Sequence, residues 1–482
     1  MTEKYDCGLC WLKIINQLCG VFWFEKKNTI FVAVPSFNAL TLGFRPTLLT
    51  LKSVLMIKRI GLFLLLPIFA AGLWGCASDG DADNPVDNNP YEPIELEAEE
   101  FYVSEAMQPF AFDMLGEICC QTEGSVVVSP LSAAIMVGML ANAADDDVCA
   151  EFLAAMGVSD VQKLWLNSYF GKLQQSLPGI DKEAKMRLDN GVWLNSGSGE
   201  PARATDGYVS ILYNDYMTDI KCIDFSERSS VGKINAWICE RTGFDDVVKN
   251  IDRSMAALWA STLYFRGAWT KKFDRSATKK SPFFLADGSC EDVDMMHADN
   301  VGAGYYSSIG ADGGMSTEDA IQSVTMPYGN GAYNFTAVLP AKNMSVRDLI
   351  RSLGAGGWYE ITTGSSGEGM RSGSFGLDIP RMEITSDHDV SRILSAMGAS
   401  SLASGFVMPG LGLISPVGGK VVQRTSISVD EEGSEVKSVT AGGIDGADRR
   451  CYVTFDRPFV YAVWEKSTGA ILAVGTYMGP NK

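Results

Sequence analysis

From Val421 to its end the chain is mostly extended, and a single polar stretch of about twenty residues breaks that run. Residues 452–455, 459–465 and 471–477 have strand lengths and strand composition. Lys466-Ser467-Thr468-Gly469 joins the last two as a hairpin turn. Late strands need partners from upstream. Residues 186–194 alternate as a strand should, and residues 258–265 are apolar enough to be covered on both faces. Between these lie helical patterns. Phe110, Met114, Leu115 and Ile118 recur at helical spacing. Ser129 is placed to cap a helix that opens on Pro130 and runs through Ile135, Met139 and Leu140. Further helices are expected over 161–177 and over 230–241, the latter stopped by Gly243. Helices first and strands late predict an α+β fold over residues 101–482, without internal repeats.

The break in the strand run carries most of the functional information. Asp430-Glu431-Glu432-Gly433-Ser434-Glu435 is acidic, and a small-residue stretch ending in Arg449 and Arg450 follows it. A loop that long in a compact domain is functional or disordered. If it were extended, Ser434, Val436, Ser438 and Thr440 would share one face, and Glu435, Lys437 and Val439 the other. The segment therefore reads as exposed yet able to become a strand. A plain flexible loop is the alternative.

The N-terminal part is of another kind. Lys58 and Arg59 precede a short apolar run, residues 61–75, that ends at Cys76. Basic start, short apolar run and a small residue before the cut make an export signal over 56–75. The terminal cysteine makes it similar to a bacterial lipoprotein signal, which implies lipidation of Cys76 and attachment to the cell envelope, with the outer surface as one of the two faces open to it. Residues 1–55 then lie upstream of the signal. Either synthesis starts at Met56, or these residues are an N-terminal extension. Residues 76–100 are acidic, rich in Asn and Pro and free of Lys and Arg, and are expected to form a flexible tether. Asp79, Asp81 and Asp83 read either as an export tag or as part of that spacer.

Several function classes are excluded or weakened. A net charge of −18 repels a phosphate backbone, so no nucleic-acid partner is expected. The two histidines, His297 and His388, have no ligand spacing around them, so no metal and no Ser-His-Asp triad is expected. Cys119, Cys120, Cys149, Cys222, Cys239, Cys290 and Cys451 form no disulfide framework. Ser230-Val231-Gly232-Lys233 and Ser434-Glu435-Val436-Lys437 both fit Ser-x-x-Lys, but the companion elements of an acyl-transfer enzyme are missing.

Ordered blocks along residues 101–482 resemble the serpin family. They are Ser129-Pro130-Leu131-Ser132, Asn235-Ala236-Trp237, Thr242-Gly243, Leu263-Tyr264-Phe265-Arg266-Gly267-Ala268-Trp269, Val293-Asp294-Met295-Met296, Met326-Pro327-Tyr328, Leu339-Pro340, Phe455-Asp456-Arg457-Pro458-Phe459 and Ile471-Leu472-Ala473-Val474-Gly475. The resemblance implies three β-sheets, eight or nine helices and an exposed reactive loop. It implies a hinge at Glu431, Glu432, Gly433 and Ser434, and a scissile bond Ala447–Asp448, with Arg449 or Arg450 as the alternative. It further implies a monomer without cofactors. Such a chain would not be an enzyme but a consumed inhibitor of endopeptidases, elastase-like or broad in specificity. The target would acylate itself on the loop, and the loop would then insert into the main sheet. Two departures qualify this. Val436 is bulkier than the family's usual alanine. The sheet-opening region, expected at Ser129, Ser132, Ser261, Gln423 and Trp269, replaces the family's Asn and His by Ser261 and Gln423. A non-inhibitory binding or surface protein is the second reading.

Overall fold

A computed structural model describes residues 22–26, 29–33, 88–197, 203–299, 304–308, 319–363, 371–372, 375–417, 421–433 and 451–480. The chain divides into two compact units, residues 1–86 and 87–482. In the first, strand Phe22–Lys26 pairs antiparallel with Thr29–Ala33.

The second unit opens on helix α1 (Ala98–Gln121). Glu97 and Glu100 form a reciprocal capping box at its start, and the Glu97 N–H donates to Glu100 Oε2 at 2.9 Å. Helix α2 (Pro130–Ala143) has Ser129 as its cap, with Oγ accepting the Ser132 N–H at 3.3 Å. Nearly all of α2 is buried, as an all-round apolar helix must be. Strands β1 (Lys185–Asn195) and β2 (Thr218–Ile223), helix α3 (Ser229–Thr242) and strand β3 (Ala257–Arg266) follow. Gly243 ends α3 in the left-handed conformation, the stop that its position predicts. Strands β4 (Met382–Asp389) and β5 (Val422–Val429) come late.

A seven-stranded sheet forms the centre. Its middle strands, Tyr333–Leu339 and Phe459–Glu465, are buried at every position. Phe459–Glu465 and Ile471–Tyr477 form the expected hairpin. The buried Glu465 carboxylate organises its turn by accepting the N–H and hydroxyl of Ser467 (2.8 and 2.7 Å) and of Thr468 (2.8 and 2.6 Å). A four-stranded sheet joins Cys451–Thr454, Phe375–Pro380, Cys290–Ala298 and Lys279–Phe284.

Two further sheets position the site. One is β2-β1-β3; the other is the antiparallel pair β4-β5. Among the described residues the outer edges of β3 and β5 pair with nothing along their lengths. Helix α2 backs both pieces, packing on β3 while its cap bonds to β5.

The α+β class holds, with nine α-helices among the described residues when the segments flanking the turn at 353–357 are counted as one. Helices and strands are interspersed, however, rather than segregated along the chain. The expectation that β3 is covered on both faces is corrected. Most of its residues are only half-buried, and its outer edge pairs with no strand among the described residues. The spacer expected to reach residue 100 is also shorter. Ile94 is buried, residues 88–97 are held against the body, and α1 begins at Ala98.

Candidate functional site: the hinge and the slot between two half-sheets

The chain leaves β5 at Asp430 and is gripped at once by the segment that follows β3. Trp269 Nε1 donates to the Asp430 carbonyl at 2.8 Å. The Phe273 N–H donates to the Glu431 carbonyl at 2.9 Å, and the Trp269 N–H to the Glu432 carbonyl at 3.2 Å. These bonds close one end of the slot between β3 and β5. Trp269 is itself fixed by stacking on Tyr328, with ring centroids 4.4 Å apart and planes within 12°. Burial pushes the Tyr328 phenol far above its usual range, so it stays neutral.

Glu431 is the anchor. Its side chain is 1% exposed, and its carboxylate accepts from Arg381 Nη2 and Thr278 Oγ1, each at 2.6 Å. Burial alone would raise this carboxyl. The bonds from Arg381 and Thr278 outweigh it and hold the group below the usual carboxylate range. Glu432 is more exposed and pairs with Arg275 at 2.7 Å. Gly433 turns away with φ of +68°. A Cβ there would stand 2.3 Å from the Trp269 backbone nitrogen, so only glycine fits.

Lower in the slot, Gln423 of β5 bonds the start of α2 with both ends of its amide. Its Oε1 accepts the Ser129 N–H and its Nε2 donates to the Ser129 carbonyl, both at 2.9 Å. The Ser129 and Ser132 hydroxyls lie 3.2 Å apart. On β4, directly opposite Gln423, His388 bonds the Val127 carbonyl through Nε2 at 3.2 Å. Burial pushes this imidazole below its ordinary value, although the Val127 carbonyl and Asp387 oppose the shift. Both ends of the Gln423 amide are thereby satisfied. Ser261, on β3, does not join in: its Oγ is buried with no hydrogen-bond partner among the described residues.

The expected residues divide accordingly. Glu431, Glu432 and Gly433, expected at the hinge, lie together against the segment after β3. Ser129, Ser132 and Gln423, expected at the sheet-opening region, are hydrogen-bonded to one another. Trp269 sits beyond the end of β3, at the hinge root and not with the serine cluster. Ser434, Val436, Ser438 and Thr440 lie outside the described residues, as do Ala447, Asp448, Arg449, Arg450 and Cys76. Arg381 and Thr278 escaped the sequence reading because they sit 50 and 153 residues from Glu431. His388 shares the alternating face of Met382, Ile384 and Ser386 on β4.

Other candidate chemistry is engaged elsewhere. Ser230 Oγ donates to the Asp224 carbonyl at 2.6 Å, while Lys233 pairs with Glu227 at 3.2 Å. His297 Nδ1 lies 2.7 Å from Asp378 Oδ1, and no metal-binding cluster occurs among the described residues. Cys119, Cys120, Cys149, Cys222, Cys239 and Cys290 are free thiols.

The comparisons agree with this geometry. The family model described as "Serpin (serine protease inhibitor)" matches residues 105–480. Serpin-Z10 of Arabidopsis thaliana is 26% identical over 388 residues, covering 74% of this chain and 92% of its own. Corticosteroid-binding globulin of Ovis aries is 22% identical, covering 87% and 92%. The native-state crystal structure of the thermophilic serpin tengpin superposes with a TM-score of 0.66 at 22% identity, covering 81% of this chain and 97% of that one. The chain belongs to the serpin family of serine protease inhibitors.

Proposed function

We propose that the protein is a single-use inhibitor of endopeptidases. The carrying observation is the slot. β3 and β5 are joined at their hinge end through Trp269 and Phe273, yet share no register along their lengths among the described residues, and the loop leaves from that joined end. A target nucleophile attacks the Ala447 carbonyl and forms an acyl-enzyme, freeing the chain at Asp448. Residues 433–447 number 15 and span roughly 50 Å at ~3.3 Å each, enough to fill the slot as a new strand. Insertion drags the acylated peptidase across the molecule before water releases it. The alanine before the bond selects an elastase-like or broad peptidase; cleavage after Arg449 or Arg450 selects a trypsin-like one.

The charge pattern supports insertion. In an inserted strand the inward positions would be Ser434, Val436, Ser438 and Thr440, none of them charged, and Lys437 would face water. We further propose that residues 56–75 direct export and that Cys76 carries the lipid anchor. Mass spectrometry of the mature N-terminus tests this, since an unacylated Cys76 contradicts it. Mixing with elastase, trypsin, subtilisin and papain tests the inhibitor reading. An SDS-stable complex supports it, and complete cleavage without complex rejects it.

The second reading is a non-inhibitory carrier or surface protein. Its support is the similarity to corticosteroid-binding globulin together with the bulk of Val436. A cleaved form with unchanged thermal stability is its signature.

A further inference from the structure

One short segment runs against the charge of the whole chain. In a protein of net charge −18, residues 266–280 hold six Lys and Arg and one acid, Asp274. Two of the six have partners. Arg275 pairs with Glu432 at 2.7 Å, and Lys280 with Asp294 at 3.1 Å. Arg266, Lys271 and Lys279 are exposed and Lys272 is half-buried, and none of these four forms an ion pair among the described residues. Asp274 is turned to its own backbone, where Oδ1 accepts the Ser276 N–H at 2.8 Å.

The fold concentrates this charge instead of dispersing it. Lys185 of β1 stands directly opposite Arg266 of β3 in the sheet register, and both are exposed. Like charges facing each other across a strand pair cost stability. The Tyr264 ring, 5.5 Å from Lys185 Nζ, is a weak counterweight. The segment also lies where the loop begins, since the Phe273 and Trp269 N–H groups hold the Glu431 and Glu432 carbonyls. The loop returns at Cys451, on the strand Cys451–Thr454. Register puts Lys279 three strands across that sheet from Cys451, and about five residues along it. At ~4.8 Å per strand and ~3.3 Å per residue the two are roughly 22 Å apart. A peptidase of about 200 residues has a radius of gyration of ~16 Å, so one seated on the loop reaches over the basic segment.

We propose that Lys185, Arg266, Lys271, Lys272 and Lys279 form a second docking surface for the target, one that fits a peptidase whose active-site rim is acidic. The partner follows from charge complementarity. Unpaired cations lie beside the loop, while the negative charge of the chain as a whole repels an acidic peptidase elsewhere. The surface draws such a target to the loop-bearing end and raises its association rate, and the loop sequence decides which bond is cut. The inference rests on the inhibitor reading for the identity of the partner, and its test reads cleavage and trapping separately.

The test uses the anionic and cationic forms of pancreatic trypsin, which share a specificity for Arg and differ in surface charge. The substrate is the chain from Cys76 onward carrying Ala447→Arg. The rate of loop cleavage at limiting peptidase reads docking, and denaturing gels read trapping. Rates are taken relative to those on a short peptide of the loop sequence. At about 50 mM salt the anionic form is expected to cut about tenfold faster than the cationic form, and the gap is expected to close at about 0.5 M. Lys271→Glu with Lys279→Glu is expected to remove the gap at low salt. Lys221→Glu with Arg253→Glu, near the far end of the sheet β2-β1-β3, makes the same change in net charge and is expected to leave the gap in place. Equal relative rates on the parent chain, or a gap that survives the Lys271 and Lys279 reversals, overturns the surface. A gap without an SDS-stable complex keeps the surface and overturns the inhibitor reading. Binding of polyphosphate at about 150 mM salt, with no gap between the trypsins, assigns the cations to a free polyanion and overturns the proposal.

Discussion

Replacing Gly433 by alanine separates the two states that the mechanism requires. In the uncleaved structure Gly433 has φ of +68°, and an added Cβ would stand 2.3 Å from the Trp269 nitrogen and 2.8 Å from the carbonyl carbon of Ala268. These are backbone atoms at the end of a strand, so they cannot swing aside. Left-handed backbone costs alanine ~1–2 kcal/mol, and expelling the hinge breaks the Trp269 bond to Glu432, worth ~1 kcal/mol. The sum is about 2–3 kcal/mol against the uncleaved form. In an inserted strand the residue is extended, which alanine accepts, with about 0.5–1 kcal/mol in its favour over glycine. The unfolded chain is common to both comparisons and cancels. At ~2 °C per kcal/mol for a body of this size, the uncleaved variant should melt about 4–6 °C lower. The loop-cleaved variant should melt at or slightly above the parent. Differential scanning calorimetry on both forms, with the loop nicked at limiting protease, measures this. Equal shifts in the two forms, or a rise in the uncleaved one, would refute the assignment of Gly433 to a hinge that changes conformation.

Three other expectations follow from the same contacts. Arg381→Met leaves the buried Glu431 carboxylate with Thr278 as its remaining side-chain partner; since Arg381 is 45% exposed, the cost is discounted for screening to about 2 kcal/mol, read as a lower midpoint of the uncleaved form. Gln423→Leu orphans the Ser129 N–H while the Ser129 carbonyl keeps the Ala133 N–H, so it should cost about 1–3 kcal/mol and speed spontaneous conversion, followed as resistance to heating over hours. His388 is the acid-sensitive group of the slot. Its folded value is depressed below the unfolded value of ~6.5, so the native state binds its proton less readily, and stability present above ~6.5 is lost as the pH falls toward the folded value. His388→Gln should flatten the stability curve in that window, and a curve that keeps its slope there would remove His388 from the account.

Much of this fold is written locally. Ser129-Pro130 caps and starts a helix because hydroxyl and ring suit those two positions and few others. Gly243 stops α3 through a conformation that side chains avoid. The turn 466–469 closes a hairpin around the Glu465 carboxylate. The pairing across the slot was not legible. Apolar residues in β3 suggested burial on both faces, but burial of a strand depends on what pairs beside it, and no local pattern records that. Half of the hinge was legible for the same reason. Glu431 and Gly433 belong to one short acidic segment, whereas Arg381 and Thr278 come from connecting segments elsewhere in the chain and make contact through the fold alone. The anchoring of residues 88–97 was hidden by composition. Asn, Pro and Glu spell a solvated spacer, yet Asn89, Tyr91 and Ile94 find partners 92, 375 and 373 positions away.

The central claim is that cleavage drives the loop into the slot between β3 and β5. Incubating the chain from Cys76 onward with pancreatic elastase, then reading denaturing gels, the new N-terminus and the melting temperature, tests it most directly. The account predicts an SDS-stable complex, a new N-terminus at Asp448, and a large rise in the melting temperature of the cleaved chain. Complete cleavage with no complex and no rise would contradict it, because a loop that is cut and stays outside the sheet cannot trap anything.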